Sequence, residues 1–182
     1  MKKLIFLLLL LGVTTSLQAQ SFYTENGEAV FLSKVPLHSF EGSSDKLVGL
    51  INLDENILDF YLDLETLDTG NGKRDRDMRL TLNTEEHPFA EFYGTLASPI
   101  DLNNPEPQSA IAKGTFKIHG EQKEVEIEGT IQPTDSGLLL KANWILNLND
   151  YNIEPPKLLI IKVDEEQEIN IELLLTPYTE DQ

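Results

Sequence analysis

The stretch Leu64–Gly94, LETLDTGNGKRDRDMRLTLNTEEHPFAEFYG, sets the frame for the rest of the chain. A strand ends at Leu64 and runs into Asp68-Thr69-Gly70-Asn71-Gly72, a run of turn formers. A charged segment follows, Lys73 to Arg79, and then His87-Pro88-Phe89-Ala90-Glu91-Phe92 restarts a strand. Arg76 to Asn83 predicts a helical turn or two, near residues 74–83, with Asp75 as its cap and Met78, Leu80 and Leu82 as apolar contacts. Pro88 blocks continuation of that helix and favours an extended residue before it. In a barrel of strands such a segment would plug or line one mouth.

Outward from this stretch the chain alternates with period two. In Ile57–Glu65 (ILDFYLDLE), Leu58, Phe60, Leu62 and Leu64 share one face, and Asp59, Tyr61, Asp63 and Glu65 share the other. That is a strand with one buried and one wet face. Leu140–Leu148 (LKANWILNL) repeats the pattern with Leu140, Ala142, Trp144, Leu146 and Leu148 on one side. Phe116–Ile118, Val125–Glu128 and Ile169–Leu173 do the same, and Val30–Val35, Leu47–Leu53 and Ala90–Leu96 complete a set of about eight strands. Short polar links separate them, at residues 41–45, 54–56, 119–121, 134–137 and 164–166. Pro99–Ser109, with three prolines, reads as a surface loop. Many short strands with tight links predict a mainly β, antiparallel sandwich or barrel, and alternation alone leaves those two open.

The N-terminus predicts export. Lys2 and Lys3 precede the unbroken apolar run Leu4–Leu11, and small and polar residues lead to Ala19, after which cleavage is expected. The run falls well short of the ~20 residues that span a bilayer. Residues 1–19 therefore read as a signal peptide, residues 20–182 as one domain, and the expected location as the periplasm or the cell exterior. No stable membrane insertion is expected after cleavage. The chain carries 14 basic and 31 acidic residues; without Lys2 and Lys3 the balance is 12 to 31, a net −19. Such a surface repels phosphate backbones, which argues against nucleic-acid binding. With no cysteine, stability rests on packing and strand pairing rather than disulfides.

Catalysis finds no constellation. His38, His87 and His119 are isolated and lie near turns, and metal-ligand spacing of the HExxH kind is absent. There is no Gly-x-Ser-x-Gly elbow, and Gly70-Asn71-Gly72 follows no phosphate-loop pattern. No catalytic residue, metal or cofactor is assigned. Lys73, Arg74, Arg76 and Arg79 form the one cationic cluster of the acidic chain. Two readings stand. The cluster grips an anionic group through Arg74, Arg76 and Arg79, or Asp75 and Asp77 neutralise it and Arg74 makes a structural pair. The sequence favours the second, which suits a neutral group better than a phosphate.

The middle of the chain resembles the YceI-like family through Leu67-Asp68-Thr69-Gly70, Arg74-Asp75, Met78, Pro88, Phe92 and Gly94. Phe31 and Ser33 on the first strand, Gly42 and Gly49 in the following hairpin, Lys113–Gly120 with Lys123–Val125, and Asn149–Ile153 extend the resemblance over nearly the whole mature chain. Asp77, Arg79 and Glu85-Glu86 depart from the family pattern. The resemblance implies a single antiparallel, eight-stranded, lipocalin-like barrel that holds a long apolar isoprenoid-type lipid, a quinone or prenyl chain, for shielding or transport. It implies a non-enzymatic role and allows a homodimer. The expected lining is Phe31, Phe60, Leu62, Leu64, Met78, Leu82, Phe92, Phe116, Ile118, Ala142, Trp144 and Leu146. The alternative is a barrel filled by its own side chains, an acidic periplasmic interaction or stress-response protein with no lipid ligand.

Overall fold

Alternating apolar residues close into one antiparallel barrel. The computed structural model describes residues 20–35, 38–155, 157–158, 161–162 and 164–179; the expected signal peptide lies outside the described residues. The strands are β1 (Ser21–Val35), β2 (His38–Asn52), β3 (Ile57–Asp63), β4 (Phe89–Leu96), β5 (Gln108–Ile118), β6 (Glu121–Thr134), β7 (Gly137–Asn147) and β10 (Glu166–Tyr178). Each pairs with its neighbour in sequence, and β10 closes the ring against β1. A two-residue pair, β8 (Lys157–Leu158) and β9 (Ile161–Lys162), stands apart between β7 and β10. The helix α1 (Gly72–Leu82) lies in the β3–β4 connection. The fold is the mainly β, eight-stranded barrel with one short helix that the alternation and the resemblance predict. Among the described residues no helix is long and apolar enough to cross a membrane.

Three local expectations are corrected. The helix starts earlier than Arg76 and Asp75 does not cap it: Asn71, in extended conformation, accepts from the Lys73 and Arg74 amides through its side chain. Gly70 at φ +71° turns the chain so that Asn71 can do this. Residues 41–45 are no turn. β2 runs straight through them, paired from Ala29↔Ser44 to Leu32↔Glu41. They read as a link because their inward positions carry Gly42 and Ser44 rather than large apolar groups. Gly42 and Gly49 accordingly sit inside β2 and not in its hairpin. A Cβ at Gly42 would meet the Phe31 ring at 2.3 Å, and one at Gly49 the Phe60 ring at 2.6 Å. The missing side chains let those rings lie against the sheet.

One end of the barrel is solidly packed. Phe22, Ile51, Leu96, Leu138 and Leu175 are buried there, Ile51 and Leu175 completely. The outer faces are acidic, with Lys113–Glu126, Lys117–Glu91 and Lys141–Glu172 as exposed cross-strand pairs. Pairs of that kind each contribute little.

Candidate functional site: an apolar cavity within the barrel

Toward the other end the inward side chains shrink and the barrel becomes hollow. The register brings Ala110 beside Gly129, Gly129 beside Ala142, Ala142 beside Ile171 and Ile171 beside Ala29. Four of these five consecutive strands therefore contribute a methyl or nothing to one belt of the wall. The space left is a cavity of about 500 Å³, within the range of small-molecule sites. It explains why Ala110, Ala112, Ala142, Trp144, Ile169 and Ile171 face inward yet are only half-buried.

All twelve residues expected from the sequence as lining border this cavity: Phe31, Phe60, Leu62, Leu64, Met78, Leu82, Phe92, Phe116, Ile118, Ala142, Trp144 and Leu146. Several are ordered by aromatic edges. Phe116 meets Trp144 at 6.1 Å and Tyr151 at 5.7 Å, and Phe31 meets Phe40 edge-on at 6.1 Å. Tyr151 is itself buried, and that burial, with Asp150 nearby, raises the pKa of its hydroxyl.

The helix supplies much of the polar lining. Asn71, Lys73, Arg74, Asp77 and Thr81 border the cavity with Met78 and Leu82. The expected cationic trio divides. Arg74 borders the cavity with its guanidinium 4.4 Å from the centre of the Phe40 ring, a cation–π contact. Arg76 is exposed and does not border it. Arg79 turns away, donating to the Glu65 carbonyl at 2.9 Å. Among the described residues no arginine of the cluster forms an ion pair, so the expected structural pair of Arg74 is replaced by the aromatic ring. The expected local neutralisation also differs. Asp75 is buried and accepts from the Thr69 hydroxyl at 2.5 Å and the Thr69 amide at 3.0 Å. The Thr69 hydroxyl, helped by that amide and by the charges of Arg79 and Arg74, holds the Asp75 pKa below the usual carboxylate value against the opposing effect of burial. Asp75 is thus a latch between the turn and the helix.

Two features escaped the sequence reading. His87 and His119 meet at the helix end with ring centres 6.0 Å apart, and His119 Nδ1 lies 3.1 Å from the Tyr151 carbonyl. Thirty-two positions separate them in the chain, and nothing local links them. Among the described residues no group of three or more His, Asp or Glu could hold a metal ion. The second feature is a polar pair in the apolar wall, Ser33 on β1 and its cross-strand partner Gln167 on β10. Its signal was present: Ser33 is in phase with Ala29 and Phe31, and Gln167 with Ile169, Ile171 and Leu173.

A search of curated proteins gives no match. Among solved structures, a polyisoprenoid binding domain from Saccharophagus degradans, implicated in plant cell wall breakdown, superposes with a TM-score of 0.75 at 16% identity. The match covers 88% of this chain and 99% of that domain. BcnA of Burkholderia cenocepacia matches at TM-score 0.65 and 13% identity, over 82% of this chain and 94% of its own. The YceI protein of Campylobacter jejuni matches at 0.63 and 17%, over 81% and 90%. These likenesses share the barrel. In sequence, the family model of the YceI-like domain matches residues 16–175, from the end of the apolar N-terminal segment into β10, and the chain belongs to that family.

Proposed function

We propose that this protein is an exported, periplasmic or secreted binding protein that holds a long apolar isoprenoid-like lipid, a quinone or prenyl chain, in its barrel for shielding or transport. The observation that carries the reading is the belt of Ala29, Ala110, Gly129 and Ala142 around an apolar cavity of about 500 Å³. A self-filled barrel would place bulk at these positions. A long hydrocarbon tail gains roughly 25 cal/mol for each Å² it removes from water, and this wall offers it carbon almost throughout. The polyisoprenoid-binding description of the Saccharophagus domain, which has the same fold, supports the choice of ligand class. The signal-like N-terminus supports export. The binding-domain description of that Saccharophagus neighbour also supports a role in binding rather than catalysis.

The test is native mass spectrometry of the protein recovered from a bacterial periplasm, with solvent extraction of whatever it carries. A stoichiometric lipid adduct of isoprenoid type is the expected result. A clean apo mass that persists after incubation with prenylated quinones and prenyl phosphates sinks the proposal and leaves the non-lipid interaction protein.

A further inference from the structure

Among the strand residues that border the cavity, Ser33 and Gln167 are the two buried polar side chains, and they are neighbours. Ser33 on β1 and Gln167 on β10 are directly opposed in the register. Ser33 is fully enclosed, 0% exposed, and Gln167 is 6% exposed. The Gln167 carboxamide is anchored by its Nε2, which donates to the Asp164 carbonyl at 2.7 Å. The Ser33 hydroxyl has no hydrogen-bond partner among the described residues. A buried hydroxyl left unsatisfied carries a desolvation cost that a bonded one recovers. Alanine, used elsewhere in this same wall at Ala29, Ala110 and Ala142, would avoid that cost.

We propose that Ser33 and Gln167 form a polar subsite that takes the uncharged oxygen of the guest's headgroup, a carbonyl or hydroxyl as in a quinone or an alcohol. This deepens, and rests on, the lipid-binding reading above. The chemistry selects the class. A hydroxyl and a carboxamide bring no charge to offset a phosphate, whereas a hydroxyl donates well to a carbonyl oxygen. In an apolar pocket a few placed polar groups fix the orientation of the ligand. Of the cationic residues bordering the cavity, Lys73 and Arg74 belong to α1, and Lys141 on β7 is paired with Glu172. Ser33 also pairs in register with Phe40, whose ring meets Phe31 edge-on and carries Arg74. Reaching the hydroxyl requires side chains around it to yield, a rearrangement common on ligand entry. The guest therefore lies with its oxygenated end at β1–β10 and its tail along the small-residue belt.

The experiment compares two probes, a prenylated benzoquinone and an isoprenoid hydrocarbon of similar length without oxygen, on the wild type, Ser33→Ala and Gln167→Leu. Quenching of Trp144, the chain's one tryptophan, by the quinone and its reversal by the competing hydrocarbon give the two affinities, and thermal melts report the fold. The wild type is expected to prefer the quinone. Ser33→Ala is expected to weaken quinone binding about tenfold, the equivalent of one hydrogen bond, with hydrocarbon affinity unchanged and the melting temperature equal or higher. Gln167→Leu is expected to lose the same preference. Unchanged quinone affinity in a folded Ser33→Ala, with both probes still bound, overturns the subsite and leaves the lipid cavity standing. Failure of the wild type to bind either probe overturns the cavity reading, and the subsite with it.

Discussion

Asp75 illustrates how a charged residue earns burial here. Its carboxylate ties Thr69 to the first turns of α1, and its pKa is lowered mainly by the Thr69 hydroxyl. A carboxyl held below its ordinary value stabilises the fold above about pH 4 and loses that contribution as the pH falls through the depressed value. Asp75→Asn is therefore expected to cost roughly 1–3 kcal/mol at neutral pH and to lose less on acidification than the wild type. Melting curves from pH 7 down to pH 3 measure both effects, and parallel curves for the two proteins count against the latch. Gly49 makes a steric argument. Its absent Cβ is the space in which the Phe60 ring lies, so Gly49→Ala is expected to destabilise by about 1–3 kcal/mol through overpacking. Denaturant unfolding tests it, and a neutral change would mean that the ring moves freely. Neither role was legible in the sequence. A buried aspartate in a charged run looks like a cap, and a glycine inside an apolar strand says nothing of the ring that will lie against it.

At the scale of elements, alternation carried the reading where side chains are large and failed where they are small. β3 and β7 were legible because Leu58, Phe60, Leu62 and the series Leu140, Ala142, Trp144, Leu146 keep one phase. β2 was cut short because Gly42, Ser43 and Ser44 carry no apolar signal, although its ladder passes through them. The helix was found but misplaced at its start, since Asn71 and Asp75 are both good caps and only the φ of Gly70 decides between them. Asn71→Ala is expected to cost about 1 kcal/mol and to fray the first turn of α1, which carries Lys73 and Arg74. Amide hydrogen exchange confined to residues 72–76 is the measurement, and unaltered protection there would count against the cap. The cavity lining was legible because inward phase and lining coincide in a barrel. The contacts between distant turns, His87 with His119 and Arg74 with Phe40, were not, because they arise only when the ring of strands closes.

At the scale of the whole molecule the decisive quantity is empty space. Ala142→Phe adds a ring where Gly129, Ala110 and Ile171 leave room. It is expected to fold with a melting temperature at or slightly above the wild type, since filling a void stabilises, and to lose lipid binding. A folded variant that binds as before would show that the ligand does not pass Ala142. The closing pair has a separate consequence. β1 meets β10 through partners such as Lys34 and Glu168, 134 positions apart. No subset of earlier strands can complete the ring, so β1 and β7 keep open edges until residues 166–178 have been delivered. Contacts so remote slow folding, and bare strand edges recruit other chains. The same seam that leaves the closed barrel without an exposed edge also makes the newly made polypeptide vulnerable, for the whole interval before its last strand docks, to association with its own unfinished copies.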